Sequence, residues 1–266
     1  MSAAATGSAG IPPARAGAPL TVLMPVYNEA ATVATVIARV LAQPCVREII
    51  IVDDCSTDGT WEALQKLAAG NDVASAAGGG AAARVRIHRH ERNQGKGAVL
   101  RTAARFINAD IAIIQDADLE YDPAEYARVI GPIINNEADV VFGSRFIGGG
   151  EHRVLYFWHS PGNRLLTLLS NIFTNLNLTD MEVYFKVFRA DIIKQIAWRE
   201  NRFGFEPEIT ARVAAFRPRL RIYGVAVSYH GRTCEEGKKI GWRGGLRALW
   251  VIIKCGIGGR GAGGGA

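Results

Sequence analysis

No uninterrupted apolar run in these 266 residues approaches the roughly 20 needed to span a bilayer, so any membrane contact is expected to be peripheral. Cysteine is sparse and badly spaced for a metal. Cys45, Cys55, Cys234 and Cys255 form no C-x-x-C, and no secretory signal precedes them. That argues against a zinc site or a disulfide framework and for reduced thiols in a cytoplasmic setting. The first strand pattern is followed by "PVYNEAAT" and not by G-x-G-x-x-G, which argues against a dinucleotide-binding dehydrogenase. Acid is nearly missing from the C-terminal region: ten Lys and Arg between Arg217 and Arg260 face only Glu235 and Glu236. This local +8 leaves the rest of the chain at −2, within a net charge of +6. Such clustering suits a polyanion, a phosphate substrate or an anionic membrane face, and no nucleic acid partner is expected.

What is present suits one large domain with an appendage: 48% of residues are hydrophobic and 21% charged, enough for a core. "LTVLMPV", "VREIIIVDD", "RVRIHRH", "ADIAIIQDAD" and "ADVVFGS" read as strands. Helices are expected from about Glu29 to Leu41, and from about Gly59, Gly95 and Pro123. Strand and helix alternate with short links, which predicts an α/β fold: a mostly parallel sheet covered by helices on both faces. Residues 1–18 and 256–266 read as disordered tails, 19–236 as the domain and 237–255 as a basic amphipathic segment. The Gly/Ala-rich stretch between Leu67 and Arg84 reads as a surface insertion.

In such sheets ligands bind beyond the carboxyl ends of the strands. Those ends are polar here: "PVYNE", "VDDCSTDG", "DADLE" and "GSRF", with "RNQGKG" after the third strand. Alternate residues of an extended chain point the same way, so Asp116 and Asp118 bring two like charges to one spot. A divalent cation between them would relieve the repulsion.

Eight motifs in order, "PVYNE", "VDDCSTDGT", "NQGKGAVLRTA", "DADLEYDP", "GSRF", "NLNLTDMEVYFKVF", "GFEPEITARV" and "SYHGRTCEEGKKI", resemble the family-2 glycosyltransferases of GT-A fold. The similarity is to the polyprenyl-phosphate, dolichol-phosphate mannose synthase-like branch, from about Leu20 to Lys254. Pro161 and Val183-Tyr184 depart from that branch's strings. The resemblance implies a nucleotide-diphosphate sugar donor, GDP-mannose or UDP-glucose, contacted by Pro25, Tyr27, Glu29, Asp53 or Asp54, Lys96 and Asp116. It implies Mg²⁺ or Mn²⁺ held by Asp116, Asp118 and Glu120 against the diphosphate. Ser56 and Asp58 suit capping of the second helix.

The acceptor implied is a polyprenyl phosphate, dolichyl or undecaprenyl, receiving mannose or glucose with inversion. A phosphate monoester has a second pKa of about 6 and attacks without a general base. The enzyme must then supply cations: Arg145 and Arg232, with Arg164 and Lys239 also placed for the acceptor phosphate. A sugar or alcohol acceptor would need a base, with Glu206 or Glu208 to suspect. Two alternatives therefore stand beside the lipid reading: a soluble hydroxyl-acceptor glycosyltransferase and a non-catalytic nucleotide-sugar-binding module. Tyr156, Phe157, Trp158, Leu165, Leu166, Leu168 and Leu169, beside Arg153 and Arg164, suit either a core or a membrane interface. Trp242, Leu246, Leu249, Trp250 and Ile253, flanked by Lys238, Lys239, Arg243, Arg247 and Lys254, read as a segment lying on the cytoplasmic membrane face.

Overall fold

The computed structural model describes residues 19–69, 84–148, 159–231 and 242–260. Seven strands form one sheet in the order β3-β2-β1-β4-β6-β5-β7. They are β1 (Leu20–Val26), β2 (Val46–Asp53), β3 (Arg84–Arg89), β4 (Ile111–Ile114), β5 (Val140–Ser144), β6 (Lys186–Arg189) and β7 (Ile222–Ala226). Strand β6 runs antiparallel to β4 and β5, and the other pairings are parallel. The helices are α1 (Val33–Leu41), α2 (Thr60–Ala69), α3 (Lys96–Ala104), α4 (Tyr126–Ile134), α5 (His159–Thr174), α6 (Ala190–Gln195), α7 (Phe205–Ala215) and α8 (Trp242–Arg260).

The α/β expectation holds because each segment obeys its period. All four residues of β4 are buried, as befits a central strand with neighbours on both sides. Helix α1 buries Val33, Val36, Ile37, Val40 and Leu41, one face of a 3.6-residue repeat. Helix α4 does the same with Tyr126, Val129, Ile130 and Ile133. The register sets the rim: Val26 pairs with Asp53, and Leu23 with Ile114, so β1, β2 and β4 deliver their following residues to one edge.

Three expectations need correction. Helix α1 starts at Val33 and not near Glu29, because Asn28 adopts a left-handed φ of 54° and the amides of Glu29 and Ala30 bond to Thr60 Oγ1 and Asp58 Oδ2. Two strands, β6 and β7, had not been expected; β6 is four residues of "KVFR" and β7 is half-exposed, so neither shows a strand period. Helix α8 continues to Arg260, taking in residues 256–260 that had been assigned to the tail. Gly256 is buried there, and a β-carbon at that position would collide with the ring of Phe173 on α5. Residues 1–18, the insertion over 70–83, Arg153, the Tyr156–Trp158 cluster, Arg232, Lys238, Lys239 and residues 261–266 lie outside the described residues.

Helices α5, α7 and α8 pack together. Neither α5 nor α8 contains an acidic residue. Leu165, Leu168 and Ile172 of α5 stay more than half exposed, and Leu246, Trp250 and Ile253 of α8 are also exposed. Among the described residues no helix is long and apolar enough to cross a membrane. Gly256→Val should push α8 off Phe173 and cost about 1–3 kcal/mol, read as a lower denaturation midpoint.

Candidate active site

The cleft opens where β1, β2 and β4 end. Pro25, Tyr27, Glu29, Asp54, Lys96, Asp116 and Asp118 line it together, so the structure gathers every proposed donor residue except Asp53. The turns that allow this convergence use left-handed backbone at Asn28, Cys55 and Leu119. Leu119 has a φ of 62°, a costly conformation for a residue with a γ-branched side chain. It lies beside the turn in which Asp118 Oδ1 accepts from the amide of Glu120 at 3.1 Å. Thr32 ties the same turn to the start of α1 by donating to the carbonyl of Ala117 at 2.6 Å.

The two neighbouring aspartates after β2 divide their work. Asp54 accepts from the amides of Gln94 and Gly95, at 3.0 and 2.6 Å, and lies 2.8 Å from His90 Nδ1. It therefore clamps the loop that leads to Lys96. Asp53 is fully buried, with Oδ2 accepting from Ser56 N and paired with Arg89 at 3.2 Å, while Oδ1 has no partner. Asp58 accepts from the amides of Thr60 and Ala30, capping α2 as expected.

Glycine is required twice in "NQGKG". Gly95 has φ 96°, and a β-carbon there would sit 2.5 Å from the carbonyl oxygen of Asn201. A β-carbon at Gly97 would overlap the carbonyl oxygen of Glu200. This close approach swings Lys96 inward: its ammonium lies 2.8 Å from Asp116 Oδ2, 3.5 Å from Glu206 Oε1 and 3.4 Å from the Tyr184 ring centroid. Lys96 thus addresses the carboxylates while still lining the cleft. Burial works against the Lys96 charge, but Asp116 and Glu206 outweigh it and raise its pKa. Burial lifts the Asp116 carboxyl above the usual range, with Lys96 pulling it back.

A divalent cation fits these residues in part. Asp116 Oδ1 is buried without a hydrogen-bond partner, and Asp118 faces the same cleft. Among the described residues no three His, Cys, Asp or Glu side chains form a ready-made metal cage. Glu120 is buried, and the Tyr229 hydroxyl donates to its Oε2 at 3.0 Å, engaging one of its two oxygens. Ligands from a diphosphate would have to complete the shell.

The proposed acceptor cations are partly assembled. Arg145 donates from Nε and Nη2 to the two oxygens of Asp180, at 2.6 and 2.8 Å. Its guanidinium lies 5.0 Å from the Tyr229 ring and 5.7 Å from Phe146, whose ring also lies 5.6 Å from the guanidinium of Arg164. The bidentate pair uses two of the five guanidinium donors. Asp180 accepts further from Arg145 N and Asn163 Nδ2. Burial would lift its pKa, but Arg145 and Asn163 hold it below the ordinary value. Arg232 and Lys239 follow the last described residue of this region, Gly231.

Glu182 was missed by sequence reasoning, although it stands two residues after Asp180 in a quoted motif. An acid inside the otherwise apolar "MEVYF" was the available signal. Its Oε1 is buried without a partner, and burial first, then Glu206, pushes its carboxyl up to about 8. Lys186 opposes that rise and is itself pushed down to about 8 by burial.

Known proteins resemble this chain in sequence and in fold. The model of "Glycosyl transferase family 2" matches residues 21–197. The chain belongs to that family. An undecaprenyl-phosphate mannosyltransferase from Micrococcus luteus is 26% identical over 256 residues, covering 89% of this chain and 98% of that protein. A dodecaprenyl-phosphate galacturonate synthase from Rhizobium johnstonii is 28% identical over 217 residues, covering 80% of this chain and 59% of that one. A glucosyl-3-phosphoglycerate synthase from Mycobacterium tuberculosis, solved with Mn²⁺, uridine diphosphate and glucosyl-3-phosphoglycerate, superposes with a TM-score of 0.65. It is 18% identical and covers 90% of this chain and 80% of that one, a likeness of fold.

This family-2 chain should show the Glu182 environment in its stability. A carboxyl raised from 4.5 to about 8 on folding binds its proton more tightly in the native state, so its stabilising effect is complete below pH 4.5 and is lost as pH rises toward 8. Glu182→Gln should therefore melt above wild type near pH 8, with the gap closing as pH falls to about 4.5. Melting curves across that range test it.

Proposed function

We propose that this family-2 enzyme moves a hexose, mannose or glucose, from a nucleoside diphosphate sugar to a polyprenyl phosphate, with inversion, at a membrane surface. The supporting observation is Arg145, oriented by a fully engaged Asp180 and set beside the Tyr229 ring, whose hydroxyl donates to Glu120. Among the described residues, neither carboxylate suspected as a base is free to act as one. Glu206 pairs with Lys96, and Glu208 accepts from the amides of Arg199 and Glu200 and pairs with Arg212. A dianionic phosphate acceptor needs cations and not a base. The curated relatives named above carry polyprenyl phosphates in their names, which favours the same acceptor.

In this reading Pro25 and Tyr27 wall the nucleotide, and Asp54 orders the Gln94–Gly95 turn beside it. Asp116 and Asp118 would hold Mg²⁺ or Mn²⁺, which would neutralise charge on the departing diphosphate. Lys96 keeps Asp116 ionised and in place. Arg145 turns its three remaining N–H groups toward the acceptor phosphate, with Arg164 beside it across Phe146. Their charge holds the two phosphates in line for displacement. Asp180 fixes the plane of the Arg145 fork.

Two experiments test the donor and acceptor. With UDP-[14C]glucose, GDP-[14C]mannose and undecaprenyl phosphate, label should pass into organic solvent; label moving only onto a soluble sugar defeats the lipid reading. Asp118→Asn should abolish transfer and leave the fold intact. Wild type should melt higher with UDP or GDP only when Mg²⁺ or Mn²⁺ is present, by about 2.7 kcal/mol at 100 times the dissociation constant. A shift that ignores the metal would end the metal assignment.

The membrane reading rests on the exposed apolar stripes of α5 and α8, helices free of acid and carrying Arg164, Arg247 and Lys254. Arg247 and Lys254 both lie against the Trp250 ring, at 4.5 and 4.6 Å. Wild type should sediment with phosphatidylglycerol vesicles in a partly salt-sensitive way. Leu168→Glu and Trp250→Glu, both at exposed sites, should release it while keeping the wild-type melting temperature. Equal binding by the variants would remove this surface from the proposal.

A further inference from the structure

Glu200 joins two parts of the molecule that the reaction scheme leaves unconnected. It is 7% exposed, yet it receives two cations from α8: Arg247 Nη2 at 2.7 Å and Nε at 3.1 Å on Oε2, and Lys254 at 3.6 Å on Oε1. Its backbone is fixed from the other side, where Glu208 Oε2 accepts from the amides of Arg199 and Glu200 at 2.8 and 2.6 Å. The segment around it forms the floor of the Lys96 loop. The Glu200 carbonyl fills the space a side chain at Gly97 would need, and the Asn201 carbonyl does so at Gly95. Ala98 N donates to Asn201 O at 3.3 Å, Trp198 Nε1 to Gly97 O at 2.9 Å, and Arg101 Nη2 to Asn201 Oδ1 at 2.6 Å. At Gly204 a β-carbon would meet both Glu200 Oε2, at 2.7 Å, and Val251 Cγ2 of α8, at 2.8 Å. No spare room separates α8, Glu200 and the loop that carries Lys96.

We propose that Glu200 is a positioning residue for the donor site: it ties α8 to the 93–99 loop, so the seating of that helix sets how firmly Lys96 and Asp116 are held where the diphosphate binds. The role of the site as a donor site rests on the function proposed above; the mechanical link does not. Burial gives the link its strength. A carboxylate this enclosed must keep its cationic partners or be left with an uncompensated charge, which a buried group tolerates poorly. Arg247 supplies two of its hydrogen bonds from a half-exposed position on α8, where anything that contacts the helix can reach it. The helix with the exposed Trp250 stripe is thereby coupled to the metal-facing carboxylate through four successive contacts: Arg247 to Glu200, Glu200 to Gly97, Gly97 to its neighbour Lys96, and Lys96 to Asp116.

The test uses the full chain without ligand. Amide hydrogen exchange is followed in peptides covering 93–99 and 244–256 for wild type, Arg247→Glu, Arg247→Lys and Glu200→Gln. Arg247→Glu, which sets a second carboxylate against Glu200, should speed exchange about tenfold in both peptides, and Arg247→Lys should restore most of the protection. Glu200→Gln should speed exchange in both peptides as well. Faster exchange in 244–256 with an unchanged 93–99 overturns the proposal, as does no change in either, and so does a lowered melting temperature with 93–99 still protected. A second reading follows Mn²⁺-dependent binding of UDP and of GDP: Arg247→Glu should weaken whichever binds by about tenfold, and Arg247→Lys should bind it near wild type; equal binding by Arg247→Glu and wild type overturns the proposal. If wild type binds neither nucleotide, the donor assignment falls while the exchange data still judge the link.

Discussion

The ion pair between Lys96 and Asp116 is the contact on which the cleft depends. Asp116, Asp118, Glu120 and Glu206 bring negative charge to one end of the sheet, and carboxylates this close cannot all stay ionised in a buried setting without a cation among them. Lys96 supplies it from inside the protein. With the two side chains 22% and 15% exposed, losing either partner leaves the other largely enclosed and uncompensated, which costs more than losing an exposed pair. The surrounding architecture serves that placement. Gly95 and Gly97 let the loop approach the 198–201 segment, Asp54 holds the loop amides, and Tyr184 covers the ammonium.

The Arg145–Asp180 pair follows a different logic. Arg145 and Asp180 neutralise each other, but the geometry of a guanidinium leaves donors over: two N–H groups are spent on the carboxylate and three remain. An aspartate used in this way cannot also take a proton from a hydroxyl, because its oxygens already accept from Arg145 and Asn163. The pair therefore suits an acceptor that arrives already charged. Beyond its burial, Glu182 feels both groups, Glu206 raising its pKa and Arg145 lowering it. Raised to about 8, it carries a proton at neutral pH, so a role as base there would appear only in alkaline solution.

Much of this was legible in the sequence where chemistry and period coincide. The strands β1 to β5 announce themselves by apolar runs that end in charge, and the polar residues at those ends meet in the cleft because parallel strands deliver their carboxyl ends to one rim. Asp116, Asp118 and Tyr27 were readable on that basis. What could not be read is what depends on partners far along the chain. The roles of Asp53 and Asp54 differ only through Arg89 on one side and the Gln94 and Gly95 amides on the other. Lys96 turns inward only because Glu200 and Asn201, about a hundred residues later, occupy the space behind it. Strand β6 has two charged residues in four, and it is a strand because β4 and β5 lie on either side of it.

The C-terminal helix joins these two kinds of information. Its sequence shows an apolar stripe bordered by basic residues, which reads as a surface helix of one function: contact with lipid. The structure gives the same basic residues a second neighbour. Arg247 and Lys254 lie against Trp250 on the exposed side and against Glu200 on the buried side, so their charge is shared between the surface and the interior. A helix held only by its apolar face could slide or lift with little consequence for the cleft. One held through a buried carboxylate cannot, because the same residue whose side chain grips α8 has a backbone carbonyl packed against Gly97, next to Lys96. Contact at the helix surface and order in the donor cleft are thus parts of one packing problem.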